Sequence, residues 1–138
     1  MKNINVEVAD KVFGDWNRMW KENDLEGFLE LYDDDVVLES PLFPYLLNTE
    51  RGIIKAKDAL REVIEIAAKR KPTFRNFHVS NYFTNGKTII WEYPRQTPEG
   101  DQMDFMEVME INNGLIIRHR IYWGWLGVNT IINDTYHR

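Results

Sequence analysis

The hydrophobic period of this chain changes once, and that change sets its fold class. Up to Ala67 the apolar residues recur at helical spacing, with one short β-prone interruption; from Phe77 onward they alternate. Val8, Val12, Phe13, Trp16, Met19 and Trp20 mark a first helix. Asn23-Asp24-Leu25-Glu26 reads as a break and a new N-cap, with Glu26 three residues after Asn23 as in a capping box. Leu25, Phe28, Leu29 and Tyr32 give a short second helix its apolar side, and Asp33-Asp34-Asp35 reads as a polar turn. Val36 to Glu39 is β-prone and stops at Ser40-Pro41, and Leu42 to Gly52 reads as a loop. Ala56, Ala59, Leu60, Val63, Ile64 and Ala67 mark a third helix, ended before Pro72. The rest is strand-like: Phe77, Val79 and Phe83, a hairpin turn at Asn85-Gly86, then Lys87 to Tyr93, a loop over Gln96 to Gln102, Met103 to Ile111 and Leu115 to Trp123. Helices first and antiparallel strands after them predict an α+β fold, and 138 residues suit one domain over 1–138.

The last hairpin carries the chemistry. Met103, Phe105, Glu107, Met109 and Ile111 share one face of the first strand by parity, and Leu115, Ile117, His119, Ile121 and Trp123 share one face of the second. Each set is apolar except for one ionisable residue near its middle. A three-residue Asn112-Asn113-Gly114 loop, a type I turn with a G1 bulge, puts Ile111 opposite Leu115 and therefore Glu107 opposite His119. Directly opposed residues have Cβ atoms roughly 4.5–5.5 Å apart. A carboxylate and an imidazole touching on an apolar face can share a proton, which general acid–base chemistry needs. The plainer reading is a buried ion pair that fixes hairpin register. A slip of one residue would separate the two groups.

Trp91, Tyr93 and Arg95 share a face of their strand, either as core packing with a strand-end Arg or as the wall of a site. Glu39 faces water on the simplest reading, His78 lies on the wetter side of its strand, and His137 is in a terminal tail. No Cys is present, so disulfides, thiol nucleophiles and thiolate metal sites are excluded. No HExxH, GxSxG, P-loop or GxGxxG pattern occurs, and no metal or cofactor is expected. The net charge of −5 leaves only Lys69-Arg70-Lys71 as a basic cluster, which suits a solvated helix end, so no nucleic-acid partner is expected. No apolar run approaches the roughly 20 residues of a membrane span, and the opening residues are polar, so a cytoplasmic protein without a membrane partner is expected. Aromatic residues reach 13%, with five Trp, which suits either a ring-filled core or a ring-lined pocket.

The segment from Asn23 to Pro41, NDLEGFLELYDDDVVLESP, resembles the opening of ketosteroid isomerases and SnoaL-like polyketide cyclases of the nuclear transport factor 2-like superfamily. Arg51-Gly52 before the third helix fits that pattern, and Asn113 to Gly124 resembles the last strand. The resemblance covers nearly the whole chain in order. It implies a single SnoaL-like domain: a cone-shaped, curved, mixed or antiparallel sheet wrapped around three N-terminal helices, a cystatin-like roll. Where the isomerases hold a catalytic Asp before Pro, this chain has Ser40; where they hold an oxyanion-hole Tyr on the first helix, it has Trp16. Their protonated Asp aligns with Glu107, given a hairpin loop one residue shorter, and the Asp that many SnoaL-like members carry after the last strand is Gly124 here. The isomerase set is therefore not intact. The alignment places Trp91, Tyr93, Arg95, Phe105, His119 and Trp123 toward a cavity.

Together these readings predict a small-molecule pocket. Glu107 and His119 would be a catalytic base and acid, acting without a cofactor in an isomerisation, aldol cyclisation or dehydration of a small apolar or aromatic carbonyl compound. Trp16, Ser40, Trp91, Tyr93, Arg95, Phe105 and Trp123 would bind the substrate, with Tyr93 and Arg95 polarising a carbonyl. The missing family acids favour instead a non-catalytic binder of a lipophilic ligand. A third reading is a homodimeric interaction module using Met106, Val108 and Tyr122 on the outer parity of the hairpin.

Overall fold

A computed structural model describes residues 5–70, 81–96 and 100–133. The expectations for Phe77, His78, Val79, Lys71, Pro72 and His137 fall outside those residues. In chain order the elements are α1 (Val6–Glu22), α2 (Leu25–Glu30), β1 (Tyr32–Glu39), α3 (Phe43–Leu47), β2 (Ile53–Lys55), α4 (Lys57–Arg70), β3 (Phe83–Thr84), β4 (Thr88–Gln96), β5 (Gln102–Asn112), β6 (Leu115–Trp123) and α5 (Trp125–Asn133). The strands form one six-stranded sheet in the order β2-β1-β6-β5-β4-β3. It is mixed, because β1 runs parallel to β6 while the other pairings are antiparallel. The α+β expectation holds.

Helix α1 starts where Asn5 accepts the Val8 N–H at 2.8 Å, and it ends with Asn23 in the left-handed region at φ 58°. The break between the first two helices is therefore shared. Asn23 closes α1, and Asp24, not Asn23, caps α2 by accepting from the Gly27 N–H at 3.1 Å. The expected N-cap moves by one residue and the expected capping box does not form, because the residue three after Asp24 is Gly27, which has no side chain to return to the cap. Three further expectations change. The Asp33–Asp35 run lies inside β1 instead of a turn, although Asp33 accepts from the Asp35 N–H and the β1–β6 register shifts between Tyr32 and Val37. The expected loop after Pro41 contains the short helix α3, with a Pro in its first turn, where a missing N–H costs nothing. Helix α5 follows β6 directly and had no counterpart in the sequence reading.

The core lies between the helices and one face of the sheet. Ala9, Val12 and Trp16 of α1, Phe28 and Leu29 of α2, and Leu60 and Val63 of α4 pack with Leu38, Ile89, Trp91, Met103, Phe105 and Met109 of the strands. Val108 of β5 and Ile131 of α5 are also buried but stand apart from that cluster. Glycine matters where chains approach closely. The Ser40 N–H donates to the Gly52 carbonyl at 2.8 Å, and a Cβ on Gly52 would meet the Ser40 carbonyl oxygen at 2.7 Å.

Candidate active site

The β5–β6 hairpin does not have the register read from its loop. Asn113 and Gly114 both take positive φ, 51° and 77°, which makes a two-residue turn with Asn112 opposite Leu115. Pairing then slips again: Ile111 sits opposite Ile116, but Glu110 sits opposite Arg118, leaving Ile117 as the extra residue of a bulge. Ile116 faces the core in place of the expected Leu115 and Ile117. Two one-residue shifts add to two, so parity is restored beyond the bulge. His119 pairs with Met109 and Glu107 with Ile121, on a diagonal instead of directly opposite. Diagonal Cβ atoms are roughly 7–8 Å apart, within reach of long side chains.

Glu107 and His119 meet on that diagonal. Glu107 Oε2 and His119 Nε2 are 2.6 Å apart, and each residue is 2% exposed. The pair is the middle of a longer chain of hydrogen bonds. The Tyr93 hydroxyl donates to Glu107 Oε1 at 2.6 Å. His119 Nδ1 lies 2.9 Å from the Tyr32 hydroxyl, whose oxygen accepts the indole N–H of Trp16 at 2.9 Å. The ionised Glu107 carboxylate only accepts, so an uncharged His119 ring must donate to it from Nε2 and accept at Nδ1, and that sets the direction of the chain. Tyr32 spends a lone pair on Trp16 and turns its own hydrogen toward Nδ1; the uncharged imidazole then carries its hydrogen on Nε2 and donates to Glu107. Complete burial pushes the Tyr32 hydroxyl well above the ordinary tyrosine range, against the opposing pull of the Trp16 hydrogen bond, so it keeps the proton it donates. Every donor in the chain points at the Glu107 carboxylate.

These groups lie in the wall of a cavity of about 110 Å³. The sheet supplies its polar side: Tyr93 and Arg95 from β4, Phe105 and Glu107 from β5, His119 and Trp123 from β6, with Leu38 and Ser40 at the end of β1. The helices supply an apolar side, including Trp16 and Trp20 of α1, Phe43 and Leu46 of α3, and Leu60, Val63, Ile64 and Ala67 of α4. Ser40 Oγ accepts the Leu42 N–H at 3.1 Å, so it shapes the entry to α3 as well as lining the cavity. Phe105 stands edge-on to Trp123 with ring centres 4.4 Å apart, and the Arg95 guanidinium lies over the Phe105 ring at 5.2 Å.

Eight of the nine residues singled out from sequence therefore share one cavity. Trp91 does not. It is fully buried behind the wall, edge-on to Phe13 and Trp16 at 5.1 and 5.3 Å, with no hydrogen-bond partner for its indole N–H among the described residues. Strand parity put it on the right face, but the helix α1 rings cover it. Tyr32, on the apolar side of the second helix by sequence spacing, instead opens β1 and belongs to the site. A lone Tyr at a helix–strand junction gave no sign that its hydroxyl would reach His119 across the parallel β1–β6 pairing. Among the described residues no three His, Asp or Glu side chains converge as a metal site would need.

The profile of the SnoaL-like domain matches residues 13–119. The chain belongs to the SnoaL-like family. Its fold recurs in a SnoaL-like protein of unknown function from Burkholderia thailandensis E264, with a TM-score of 0.74, 16% identity, and coverage of 89% of this chain and 99% of that one. A steroid delta-isomerase from Pseudomonas aeruginosa matches with a TM-score of 0.71, 13% identity, and coverage of 98% and 93%. TerC co-crystallised with polyporic acid matches with a TM-score of 0.73, 13% identity, and coverage of 91% and 98%. At such identities these likenesses establish the nuclear transport factor 2-like fold of this SnoaL-like chain and nothing about its chemistry. A comparison with curated proteins found no match. No helix among the described residues is long and apolar enough to cross a membrane.

Proposed function

We propose that the cavity binds a small, flat carbonyl compound and moves a proton beside its carbonyl without a cofactor. The observation that carries this reading is the Glu107–His119 pair, 2% exposed and fully hydrogen-bonded, in the wall of an otherwise mostly apolar cavity. Glu107 is the base. It takes a proton from the carbon next to the carbonyl, and the C–H electron pair moves onto the carbonyl oxygen as an enolate. Once Glu107 holds that hydrogen, its hold on Tyr93 weakens, and the Tyr93 hydroxyl turns to the enolate oxygen. Returning the proton to another carbon is an isomerisation, closing a C–C bond is an aldol cyclisation, and expelling hydroxide as water is a dehydration. His119 keeps the second carboxylate oxygen in place and, with Tyr32 and Trp16 behind it, holds the carboxylate in one orientation.

Size narrows the substrate. An apolar cavity of roughly 150 Å³ takes a single benzene ring, so about 110 Å³ sets an upper limit of one small ring and excludes four fused rings. The test is deuterium incorporation from heavy water next to the carbonyl of an aryl methyl ketone, followed by NMR. Exchange accelerated by the wild type and lowered at least about a hundredfold in Glu107→Gln supports the reading. Full exchange in both Glu107→Gln and His119→Ala overturns it.

A second reading has its own observation. Both Glu107 oxygens and both His119 nitrogens already have protein partners, as in a pair that only shapes a binding site. That reading expects tight binding of the same ketone with no exchange. We also expect the chain to form a homodimer through the outer side of the hairpin, where Tyr122 is 49% exposed, although Val108 on that face is already buried within the chain.

A further inference from the structure

Ser40 is tied to the chain at every polar position but one. Its N–H donates to the Gly52 carbonyl at 2.8 Å, its carbonyl accepts the Phe43 N–H at 3.3 Å, and its Oγ accepts the Leu42 N–H at 3.1 Å. The hydroxyl hydrogen has no acceptor among the described residues, although Ser40 is only 2% exposed. The large majority of buried side-chain polar atoms have their partners, so a hydrogen left over beside a cavity calls for an acceptor inside it. Ser40 lines the same cavity as Glu107. The sheet fixes where. Glu39 pairs with Arg120, so Ser40, one residue on, stands level with Ile121, and Ile121 pairs with Glu107. Ser40 and Glu107 therefore share one level of the sheet, two strands apart, with backbones separated by about 9.5 Å at the usual strand spacing. Ile121, between them, also lines the cavity and gives that level an apolar floor. Trp16, Tyr32, His119 and Tyr93 already spend their donors on one another or on Glu107.

We propose that Ser40 selects the substrate: its hydroxyl donates to a second oxygen, which lies across a single small ring from the carbonyl that reacts at Glu107. The inference rests on the reading of the cavity as a ligand site and adds the substrate class, a ring bearing two oxygens. Length decides this. A hydrogen bond of about 2.8 Å at Ser40 and a contact of about 3 Å at Glu107 leave roughly 3–4 Å for the ligand between them. That is more than the reach from a carbonyl oxygen to its own neighbouring carbon, so one carbonyl does not serve both ends. It matches the reach from an oxygen at one corner of a six-membered ring to the carbon beside the opposite carbonyl. Because Oγ already accepts from Leu42 and has its hydrogen to give, the second oxygen is an acceptor, as in a second carbonyl. Ser40 makes no contact with the carbon that loses its proton.

The experiment compares cyclohexane-1,4-dione with 4-methylenecyclohexanone, which keeps the ring, the shape and one ketone and puts CH2 where the second oxygen was. Dissociation constants are measured by ligand-observed NMR on wild type, Ser40→Ala and Ser40→Cys. The wild type should bind the dione at least about fivefold more tightly. With no donor waiting there the order would reverse, since a carbonyl buried without a partner is the costlier group. Ser40→Ala should lose the preference. Ser40→Cys, which keeps a weak sulfur acceptor for the Leu42 N–H and a weak donor, should lose most of it. Binding of the methylene compound by a variant at wild-type strength shows that its cavity is intact. A variant that weakens both ligands in proportion assigns Ser40 to the entry of α3 alone and overturns the inference. So does a preference for the dione that survives undiminished in a folded variant. A wild type that binds the two alike, or prefers the methylene compound, overturns it as well and leaves the ligand-site reading standing. If the wild type binds neither probe, the inference and the ligand-site reading fall together.

Discussion

Tyr32 is the residue on which the internal hydrogen bonds of the site turn. Replacing it with Phe leaves the Trp16 indole N–H and His119 Nδ1 without their partners in a buried place. The expected loss is about 1–3 kcal/mol of stability, read by urea unfolding. The same residue gives a pH signature. Its folded-state pKa is raised, so the stability it contributes is fully present below about pH 10, where the unfolded chain also holds its proton. That stability is lost as pH rises from there through the folded value, because the unfolded chain ionises first. The urea midpoint gap between wild type and Tyr32→Phe should therefore shrink as the pH is raised above about 10; a constant gap would mean Tyr32 ionises alike in both states. The direction of donation makes a second statement. Nitrogen-15 NMR of the uncharged His119 ring should show its hydrogen on Nε2 in the wild type, and a ring protonated at Nδ1 would reverse the order of donors. Glu107 and His119 were legible because each interrupts an apolar parity set. Tyr32 was not, since nothing in a sequence marks which strand will lie parallel to which.

At the scale of elements, close approach decides more than propensity does. A Cβ on Gly52 would collide with the backbone of Ser40, so Gly52→Ala should cost about 1–3 kcal/mol and disturb the cavity at Ser40. Gly14 of α1 is the matched control: a Cβ there meets nothing within 4 Å, and Gly14→Ala should stabilise the chain by about 1 kcal/mol. Urea midpoints moving the same way for both would show that packing at Gly52 had been misjudged. Helices α1 and α4 and strands β4 to β6 were legible because their apolar residues repeat over many positions. Helix α3 was not, being five residues long with a Pro inside it, too short to show a period. The Asp run of β1 was misread because acidic residues are poor strand formers, and the pairing with β6 that holds it is long-range.

At the scale of the molecule, the α+β class and the family pattern were both readable, since order of elements and local motifs suffice for them. The open cavity was not readable: whether five Trp fill a core or line a space depends on which rings α1 brings down onto the sheet. Trp91 and Trp123, on the same sheet, ended on opposite sides of that question. Helix α5 also changes what the outer surface offers. Trp125 is 81%, Ile132 64% and Val128 37% exposed on it, so the apolar surface outside the chain is partly helical and not confined to the hairpin. Sedimentation at micromolar concentration should show a dimer that Tyr122→Glu converts to a monomer. A wild-type monomer under those conditions would sink the dimer expectation.

The bulge at Ile117 acts on the β5–β6 hairpin as a suppressor mutation acts on a shifted reading frame. The Asn113-Gly114 turn displaces the pairing by one, the bulge displaces it by one more, and only between the two is the message out of phase. Lengthening the turn by a single residue should therefore be tolerated only if the bulge irons out, whereas a two-residue insertion should leave His119 reading against Glu107 as it does now.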